Sequence, residues 1–294
     1  MAALSYLDPA ALMRVKSLEL RARIVMEGFW KGLHRSPYHG FSVEFSEYRP
    51  YARGDDPRFL DWKVMARSDR AFIKKFEDET NLRAYLLLDR SRSMAYGSGA
   101  YSKADYSATL AATLASFLMG QQDAVGLTTF DRRIDDHLPA RNRPGHLRQI
   151  LHHLERPPAG EGTDLGAAMA GLHGLVRKRG LVVLLSDMLA PLDELERQIG
   201  YFSAAGHEIA AFQFLDPREL DFDFAEATHF RDPESGREIF IDPAAARDGY
   251  LERLGAHLEG VRRLCAKHRA AYRLVPTDAP LDEVLFEFVS RRRG

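Results

Sequence analysis

From residue 81 onward, short apolar runs alternate with longer stretches in which apolar residues recur every three or four positions. The short runs are typical of strands buried on both faces, and the longer stretches are typical of helices that cover a sheet. This alternation predicts successive βαβ units and therefore a parallel sheet. The predicted strands are 83–89, 124–130, 181–187, 208–215 and 272–276. The predicted helices between them are about 101–120, 144–155, 164–178 and 191–204.

The two ends of the chain follow other patterns. Asp8 and Pro9 predict the start of a helix that extends to about Gly28, because proline is favoured at the first helical position. Alternating apolar residues predict two strands before residue 80, and a later turn predicts a hairpin followed by a long helix. The two strands are 41–45 and 71–77, the hairpin pairs 227–231 with 237–241, and the long helix is 243–268. We therefore predict a small amino-terminal α+β extension over residues 1–80 and an α/β domain over residues 81–294.

The composition is that of an ordinary globular protein, with 45% hydrophobic and 28% charged residues. Its 41 Lys and Arg balance 42 Asp and Glu, which favours neither nucleic acid nor a membrane as a partner. Cys265 is the only cysteine, which excludes a disulfide within the chain and a thiolate metal site, and we expect it to be buried. No run approaches the ~18 apolar residues of a membrane span, and the first residues lack a signal-peptide pattern. We therefore expect a cytoplasmic protein.

Three small oxygen donors lie where the first strand of the predicted sheet ends. Asp89, Ser91 and Ser93 alternate with two arginines in the segment Asp-Arg-Ser-Arg-Ser. In an open α/β sheet, ligands bind outside the carboxyl ends of the strands, and oxygen donors there suit a hard cation such as Mg²⁺. A turn with a helix N-cap is the alternative interpretation, because Asp and Ser are also the usual capping residues.

Two later segments add donors of the same kind. Thr163 directly precedes the predicted helix 164–178, and Ser186 and Asp187 end the second apolar strand. This order of motifs resembles the von Willebrand factor A domain and its metal-ion-dependent adhesion site. The metal ligands that the resemblance implies are Asp89, Ser91, Ser93, Thr163 and Asp187.

The resemblance also assigns roles and a fold. The serines and the threonine would supply hydroxyl groups to the ion, and the two carboxylates would hold it directly or through water. The ion would be Mg²⁺, with Mn²⁺ or Ca²⁺ as alternatives. The fold would be a Rossmann-like parallel sheet of the von Willebrand factor A type, flanked by helices. Three unrelated caps and strand ends remain the alternative, because motif matches carry a false-positive risk.

Residues 48–70 form a basic stretch that also contains aromatic and acidic residues. Basic and aromatic side chains together can bind single-stranded nucleic acid through phosphate contacts and base stacking. The arginines can equally pair with carboxylates inside the same stretch, because guanidinium groups match carboxylates in a bidentate geometry. Since the whole chain has almost no net charge, we favour a structural or partner-binding surface. This surface, the basic block, comprises Arg49, Arg53, Asp55, Arg58, Trp62, Lys63 and Arg67.

The same stretch carries a second resemblance, to the bacterial domain-of-unknown-function family fifty-eight. The matching pattern comprises Glu44-Phe45, Arg49, Tyr51, Gly54-Asp55-Asp56, Arg58, Asp61-Trp62-Lys63, Ala66-Arg67, His207-Glu208, Leu215-Asp216-Pro217, Asp232, Glu234 and Gly236. The resemblance implies a MoxR-type AAA+ ATPase as partner, with this chain as an adaptor in assembling, remodelling or metal-loading other proteins. Many relatives carry amino-terminal membrane segments that are absent from this sequence, so we expect no membrane role.

A Mg²⁺-dependent phosphoesterase or nuclease is the main enzymatic alternative, in which Asp89 and Asp187 act as metal ligands or nucleophile. Two features argue against it. The hydroxyl donors leave the ion electrophilic toward an incoming carboxylate, and no Lys or His is tied to the motif as a phosphate clamp or base. Arg90 and Arg92 occupy alternate positions that should point away from the ion. The segment 97–103 resembles a phosphate loop weakly and is better explained as the start of a helix.

The sequence therefore predicts a non-enzymatic protein-binding module that depends on a divalent cation. An acidic side chain of a client protein would complete the coordination of the ion. The predicted partners are this client and the MoxR-type ATPase, with no nucleic acid and no membrane span.

Overall fold

A six-stranded sheet is the main feature of the fold. The computed structural model describes residues 8–35, 47–50, 72–75, 82–156, 170–224, 228–231 and 238–292. In these ranges the strands are β1 (Glu47–Pro50), β2 (Phe72–Lys75), β3 (Arg83–Asp89), β4 (Ala124–Phe130), β5 (Ile134–Arg141), β6 (Leu181–Ser186), β7 (Glu208–Leu215), β8 (Thr228–Arg231), β9 (Glu238–Ile241) and β10 (Ala271–Pro276). The helices are α1 (Pro9–Met13), α2 (Leu18–Arg35), α3 (Lys103–Gly120), α4 (His146–Leu154), α5 (Leu192–Ala204), α6 (Pro217–Asp221), α7 (Pro243–Lys267) and α8 (Leu281–Arg292).

The order of the strands in the large sheet is β10-β7-β6-β3-β4-β5. Neighbouring strands are parallel except for β4 and β5, which pair antiparallel at one edge. The chain begins in the middle with β3, adds β4 and β5 on one side, and then returns to add β6, β7 and β10 on the other. This is the doubly wound order, in which ligands bind where the two halves diverge. The prediction of a Rossmann-like sheet flanked by helices is confirmed.

The central strands are buried on both faces, as their uninterrupted apolar sequences predict. Every residue of β6 is buried, as is every residue of β3 after Arg83. Leu86 and Leu87, which point to opposite faces of the sheet, are both fully buried, and each contributes about 1.5–3 kcal/mol to stability. One face is covered by α3, which packs on β3 and β4. On the other face, Leu87 belongs to a cluster that includes residues of α5 and α7.

Strand β5 and helices α6 and α8 were not predicted. Strand β5 is only partly buried and contains Pro139, so its sequence lacks the alternation of a strand; proline is tolerated there because β5 lies at the edge. Gly126 of β4 allows the close approach of β5, since a Cβ at this position would lie 2.8 Å from the backbone nitrogen of Ala140. The sequence of helix α8 does carry the periodicity of a helix, since Leu281, Val284, Leu285 and Phe288 are buried at helical spacing.

The amino-terminal helices pack on the sheet-bearing part of the chain. The predicted single helix is two helices, α1 and α2, and the ring of Phe29 in α2 meets the ring of Phe117 in α3 edge to face, with centroids 5.6 Å apart. The described residues before 35 accordingly belong to the same compact unit as those after 82. The second unit contains β1 and β2, which pair antiparallel. The division of the chain into an extension over residues 1–80 and a domain over residues 81–294 stays a prediction.

Several smaller expectations can be compared with the described residues. The predicted hairpin is present as β8 and β9, and the long helix after it is α7. Cys265 is buried, and burial raises the pKa of its thiol to about 12. The predicted strand 41–45 lies outside the described residues, and of the predicted helix 164–178 the described part is helical at 170–172. In the described ranges, none of the helices combines the length and the apolarity that a bilayer crossing requires.

Candidate functional site

The candidate site lies at the point where the two halves of the sheet diverge. Strands β3 and β6 are neighbours in the sheet, and the connections that follow them run in opposite directions. Asp89 is the last residue of β3, and Asp187 directly follows β6. The two carboxylates therefore emerge side by side at the carboxyl edge, which is the ligand-binding position of this fold class.

Asp89 is buried, with 2% of its surface exposed, and its side chain is held by neutral donors. The backbone N–H of Ser91 donates to Oδ1 over 2.9 Å, and the hydroxyl of Ser186 donates to Oδ2 over 2.6 Å. An ionised carboxylate offers about four acceptor positions, so Asp89 keeps acceptor capacity for a further ligand.

The pKa of Asp89 rises from an ordinary 3.8 to about 7. The largest cause is burial, and the neighbouring charge of Asp187 raises it further, while the hydrogen bonds from Ser186 and Ser91 oppose the rise. Desolvation and a like charge both disfavour the ionised form. Asp89 is thus a buried carboxyl whose negative charge is under-compensated by its neighbours.

The two serines of the motif lie together beside this carboxyl. A short 3₁₀ turn, Arg92–Ala95, begins directly after Ser91, and it brings the hydroxyls of Ser91 and Ser93 to 3.1 Å from each other. Ser91 is fully buried. Asp89, Ser91 and Ser93 therefore place oxygen donors in one small region, as the sequence predicts.

The loop after β6 is fixed from several elements. Gln213 of β7 donates from Nε2 to the carbonyl of Asp187 over 2.8 Å, and His257 of α7 donates to the carbonyl of Met188 over 2.9 Å. Met188 adopts a left-handed conformation with φ 52°, which is uncommon for residues other than glycine. The backbone N–H of Leu189 donates to Oδ1 of Asp187 over 3.3 Å. These contacts fix both the backbone and the side chain of Asp187.

A buried lysine is the main feature that the sequence interpretation missed. Lys103 has no exposed surface, and its Nζ donates to Oδ2 of Asp187 over 2.9 Å and to Oε1 of Glu219 over 2.7 Å. Burial alone would lower the pKa of Lys103, but the two carboxylates more than offset this and raise it. The sequence interpretation considered a lysine at the motif only as a phosphate clamp or base, and Lys103 lies there instead as the buried partner of two carboxylates.

Lys103 reaches the site because a tight loop connects the 3₁₀ turn to α3. Ser102 caps this helix in a capping box with Asp105, which confirms that the segment 97–103 is a helix start. The backbone N–H of Lys103 donates to the carbonyl of Tyr96 over 2.9 Å and closes the loop. Gly97 is required for this closure, since a Cβ there would lie 2.2 Å from the carbonyl oxygen of Tyr101. No periodicity in the sequence signals such a closure.

Thr163 and most of the basic block lie where the structure gives no description. Thr163, the fifth implied ligand, lies outside the described residues, and so do Arg53, Asp55, Arg58, Trp62, Lys63 and Arg67 of the basic block. Arg49 belongs to β1 through its backbone. The assignment of these residues to metal or partner binding stays a prediction.

Comparison with known proteins identifies the family. The model of the family described as "Protein of unknown function DUF58" matches residues 47–259. The chain belongs to this family. An uncharacterized protein of Mycobacterium tuberculosis is 31% identical over 295 residues, which covers 98% of this chain and 92% of the relative. An uncharacterized protein of Mycobacterium avium is 35% identical over 163 residues, which covers 53% of this chain and 95% of the relative.

Two solved structures resemble this DUF58 chain at low identity. The conserved hypothetical protein BatB from Bacteroides thetaiotaomicron has a TM-score of 0.49 and 15% identity, covering 72% of this chain and 98% of that one. The SpRpn10 VWA domain has a TM-score of 0.40 and 11% identity, covering 69% of this chain and 93% of that one. Since both TM-scores are below 0.5, the fold assignment depends on the strand order and the position of the motifs at the sheet edge. By those features the sheet-bearing unit is of the von Willebrand factor A type.

The donor set of this DUF58 chain fits a hard divalent cation. Among the described residues, no three His, Cys, Asp or Glu side chains are grouped closely enough to hold a metal ion, so hydroxyl oxygens would have to complete the coordination. Ser91 and Ser93 provide such oxygens beside Asp89. A cation in contact with Asp89 would also compensate the buried negative charge that raises the pKa of this carboxyl. Mg²⁺ prefers oxygen ligands and keeps part of its water shell.

Proposed function

We propose that this DUF58 chain is a protein-binding module that holds a divalent cation, Mg²⁺ with Mn²⁺ or Ca²⁺ as alternatives. The observation that carries the proposal is the environment of Asp89. This buried carboxyl accepts hydrogen bonds from neutral donors, the backbone N–H of Ser91 and the hydroxyl of Ser186, and the hydroxyls of Ser91 and Ser93 lie beside it. A cation would supply the positive charge that Asp89 lacks. Asp187 already has a positively charged partner, the ammonium of Lys103.

The ion would recruit an acidic side chain of a client protein. Hydroxyl ligands carry no charge, so an ion bound mainly by them remains strongly attractive to an incoming carboxylate. Thr163 and Asp187 would contribute on the strength of the motif resemblance. An Asp or Glu of the client would then complete a shell that neither protein completes alone.

We also propose that binding proceeds without chemistry. Lys103 cannot clamp a phosphate arriving from solution, because it has no exposed surface and already contacts Asp187 and Glu219. Arg90 donates from its guanidinium to the carbonyl of His153 in α4 over 3.1 Å, so its side chain is directed to that helix. The phosphoesterase or nuclease alternative gains no support from these contacts.

A MoxR-type AAA+ ATPase is the proposed partner, with the chain acting as an adaptor in protein assembly or remodelling. The support for this partner is the family resemblance alone. The basic block is the proposed contact surface, since its arginines alternate with carboxylates and aromatic residues.

The proposal is tested by titrating Mg²⁺ and Mn²⁺ into the purified protein by calorimetry. One weak site is expected, and Asp89→Ala should abolish it while the circular dichroism spectrum stays unchanged. Asp193→Ala is a matched control, because it removes an exposed carboxylate of α5. Undiminished binding by the variant with Asp89→Ala and Asp187→Ala would disprove the metal site.

The partner is tested by pull-down with the MoxR-type ATPase and client proteins of the same cell, with and without EDTA. Ser91→Ala combined with Ser93→Ala should abolish the cation-dependent client contact and preserve the fold, since it removes two hydroxyls with little change of volume. Metal-dependent hydrolysis of ATP or phosphoesters by the wild type, lost in this double variant, would show instead that the protein is an enzyme.

A further inference from the structure

The ammonium of Lys103 is enclosed between two carboxylates that belong to different parts of the fold. Asp187 follows β6, and Glu219 lies in α6, 116 residues from Lys103 in sequence. Glu219 is itself held from the other side, because its Oε2 accepts the backbone N–H of Asp216 over 2.8 Å. The fixed positive charge is therefore rigidly attached to one of the two carboxylates of the candidate cation site.

We propose that the positive charge of Lys103, held beside Asp187, keeps the cation affinity of the site low. The inference deepens the proposed function and depends on it. A site of this kind holds its ion weakly when free, so the carboxylate of a client protein adds a large share of the total binding.

Removing the charge of Lys103 and removing the charge of Glu219 should change the cation affinity in opposite directions. With Asp89, Asp187 and Glu219 ionised, the ammonium offsets one of three negative charges. Removal of the lysine charge makes the surroundings more negative and should tighten cation binding, because interactions between charges are strong where water is excluded. Removal of the Glu219 charge makes the surroundings less negative and should weaken it. A purely structural role would weaken binding in both cases.

The experiment measures the affinity for Mn²⁺ by calorimetry in wild type, Lys103→Met, Glu219→Gln and the variant that carries both changes. Methionine keeps the length of the lysine side chain without its charge. We expect Lys103→Met to bind about tenfold more tightly and Glu219→Gln about threefold more weakly. The variant with both changes has the same net charge as wild type and should bind within about threefold of it. The mid-point of thermal unfolding with and without Mn²⁺ provides an independent readout.

Folding of the variants has to be considered, since Lys103→Met leaves the buried carboxylate of Asp187 and the partly exposed carboxylate of Glu219 without a cation. If Lys103→Met does not fold, the inference is tested by comparing the double variant with the single variant Glu219→Gln. Tighter binding by the double variant than by Glu219→Gln supports the inference. Equal or weaker binding by the double variant, or undiminished binding by Glu219→Gln, overturns it.

The result also separates the inference from the proposed function. If wild type binds Mn²⁺ and Asp89→Ala abolishes binding, the site exists whatever Lys103 does, and only the inference depends on the Lys103 and Glu219 variants. If wild type binds no Mn²⁺, or Asp89→Ala binds equally well, the metal site is absent and the inference falls with it.

Discussion

The ends of β3 and β6 carry the same kind of side chain in opposite electrostatic situations. Asp89 at the end of β3 is buried among neutral donors, and burial together with Asp187 raises its pKa to about 7. Asp187 after β6 is equally buried but receives the ammonium of Lys103. The two strands are adjacent and parallel, so the difference comes from the elements that pack against their ends.

This comparison shows which carboxylate needs a ligand. A buried charge that is paired and hydrogen-bonded is tolerated, whereas an unpaired one takes up a proton or attracts a counter-ion. Asp187 is satisfied by protein groups alone. Asp89 is satisfied by a proton or by a cation, so in the absence of metal its charge should reduce the stability of the fold.

The largest expected effect is that two matched substitutions change the free energy of unfolding in opposite directions. Asp187→Asn weakens the contact with Lys103 and should lower the free energy of unfolding by about 1.5–3 kcal/mol. Asp89→Asn removes an under-compensated charge. Its amide oxygen can still accept from the backbone N–H of Ser91, and its NH₂ can donate to the hydroxyl oxygen of Ser186 in place of the present bond. The change should raise that free energy by about 1–3 kcal/mol at pH 8. Urea denaturation in the presence of EDTA measures both.

Saturating Mn²⁺ provides the control for this pair. The ion stabilises wild type by an amount set by its concentration relative to the dissociation constant, and it should not stabilise Asp89→Asn. A loss of stability in metal-free Asp89→Asn as large as that in Asp187→Asn would contradict the asymmetry between the two strand ends.

The positions of Asp89 and Asp187 followed from the sequence because they depend on local patterns. Each directly follows an apolar run long enough for a buried strand, and parallel strands bring their carboxyl ends to one edge of a sheet. The neighbouring positions of β3 and β6 follow from the doubly wound order. The positions of Ser91 and Ser93 could be predicted for the same reason, because they lie two and four residues after Asp89.

The position of Lys103 could not be predicted from such patterns. It is 84 residues from Asp187 in sequence, and it reaches this carboxylate through a loop closure that depends on Gly97 and on backbone hydrogen bonds. Periodicity reports which face of an element is buried, and it carries no information about a single charged side chain at the first position of a helix. Strand β5 escaped prediction for a related reason, since a half-exposed edge strand needs few apolar residues.

A second prediction concerns the dependence of stability on pH without metal. Because the pKa of Asp89 is raised on folding, the folded state binds the proton more tightly than the unfolded state. The contribution of Asp89 to the free energy of unfolding should therefore fall as the pH rises from about 4 to about 7 and stay constant above that. The difference in free energy between Asp89→Asn and wild type should grow over this window. Urea titrations of both proteins in EDTA measure it, and a difference independent of pH would contradict the raised pKa.

The smallest expected effect concerns the support of the Asp187 backbone. The hydroxyl of Tyr272 donates to Oε1 of Gln213 over 2.7 Å, and Nε2 of Gln213 donates to the carbonyl of Asp187. Tyr272→Phe leaves the buried Oε1 unpaired and should lower the free energy of unfolding by about 1 kcal/mol. The amide should keep its orientation, because a flipped amide would place two oxygens against each other.

Cation affinity should hardly respond to this change, since Lys103 fixes the Asp187 carboxylate independently of Gln213. We expect the Mn²⁺ dissociation constant of Tyr272→Phe to stay within about threefold of wild type. Tyr106→Phe is the matched control, because it also removes a phenol hydroxyl that donates to a carbonyl, that of Ala279, without a link to Asp187. If Tyr272→Phe weakened Mn²⁺ binding tenfold or more while Tyr106→Phe did not, Gln213 rather than Lys103 would determine the position of Asp187.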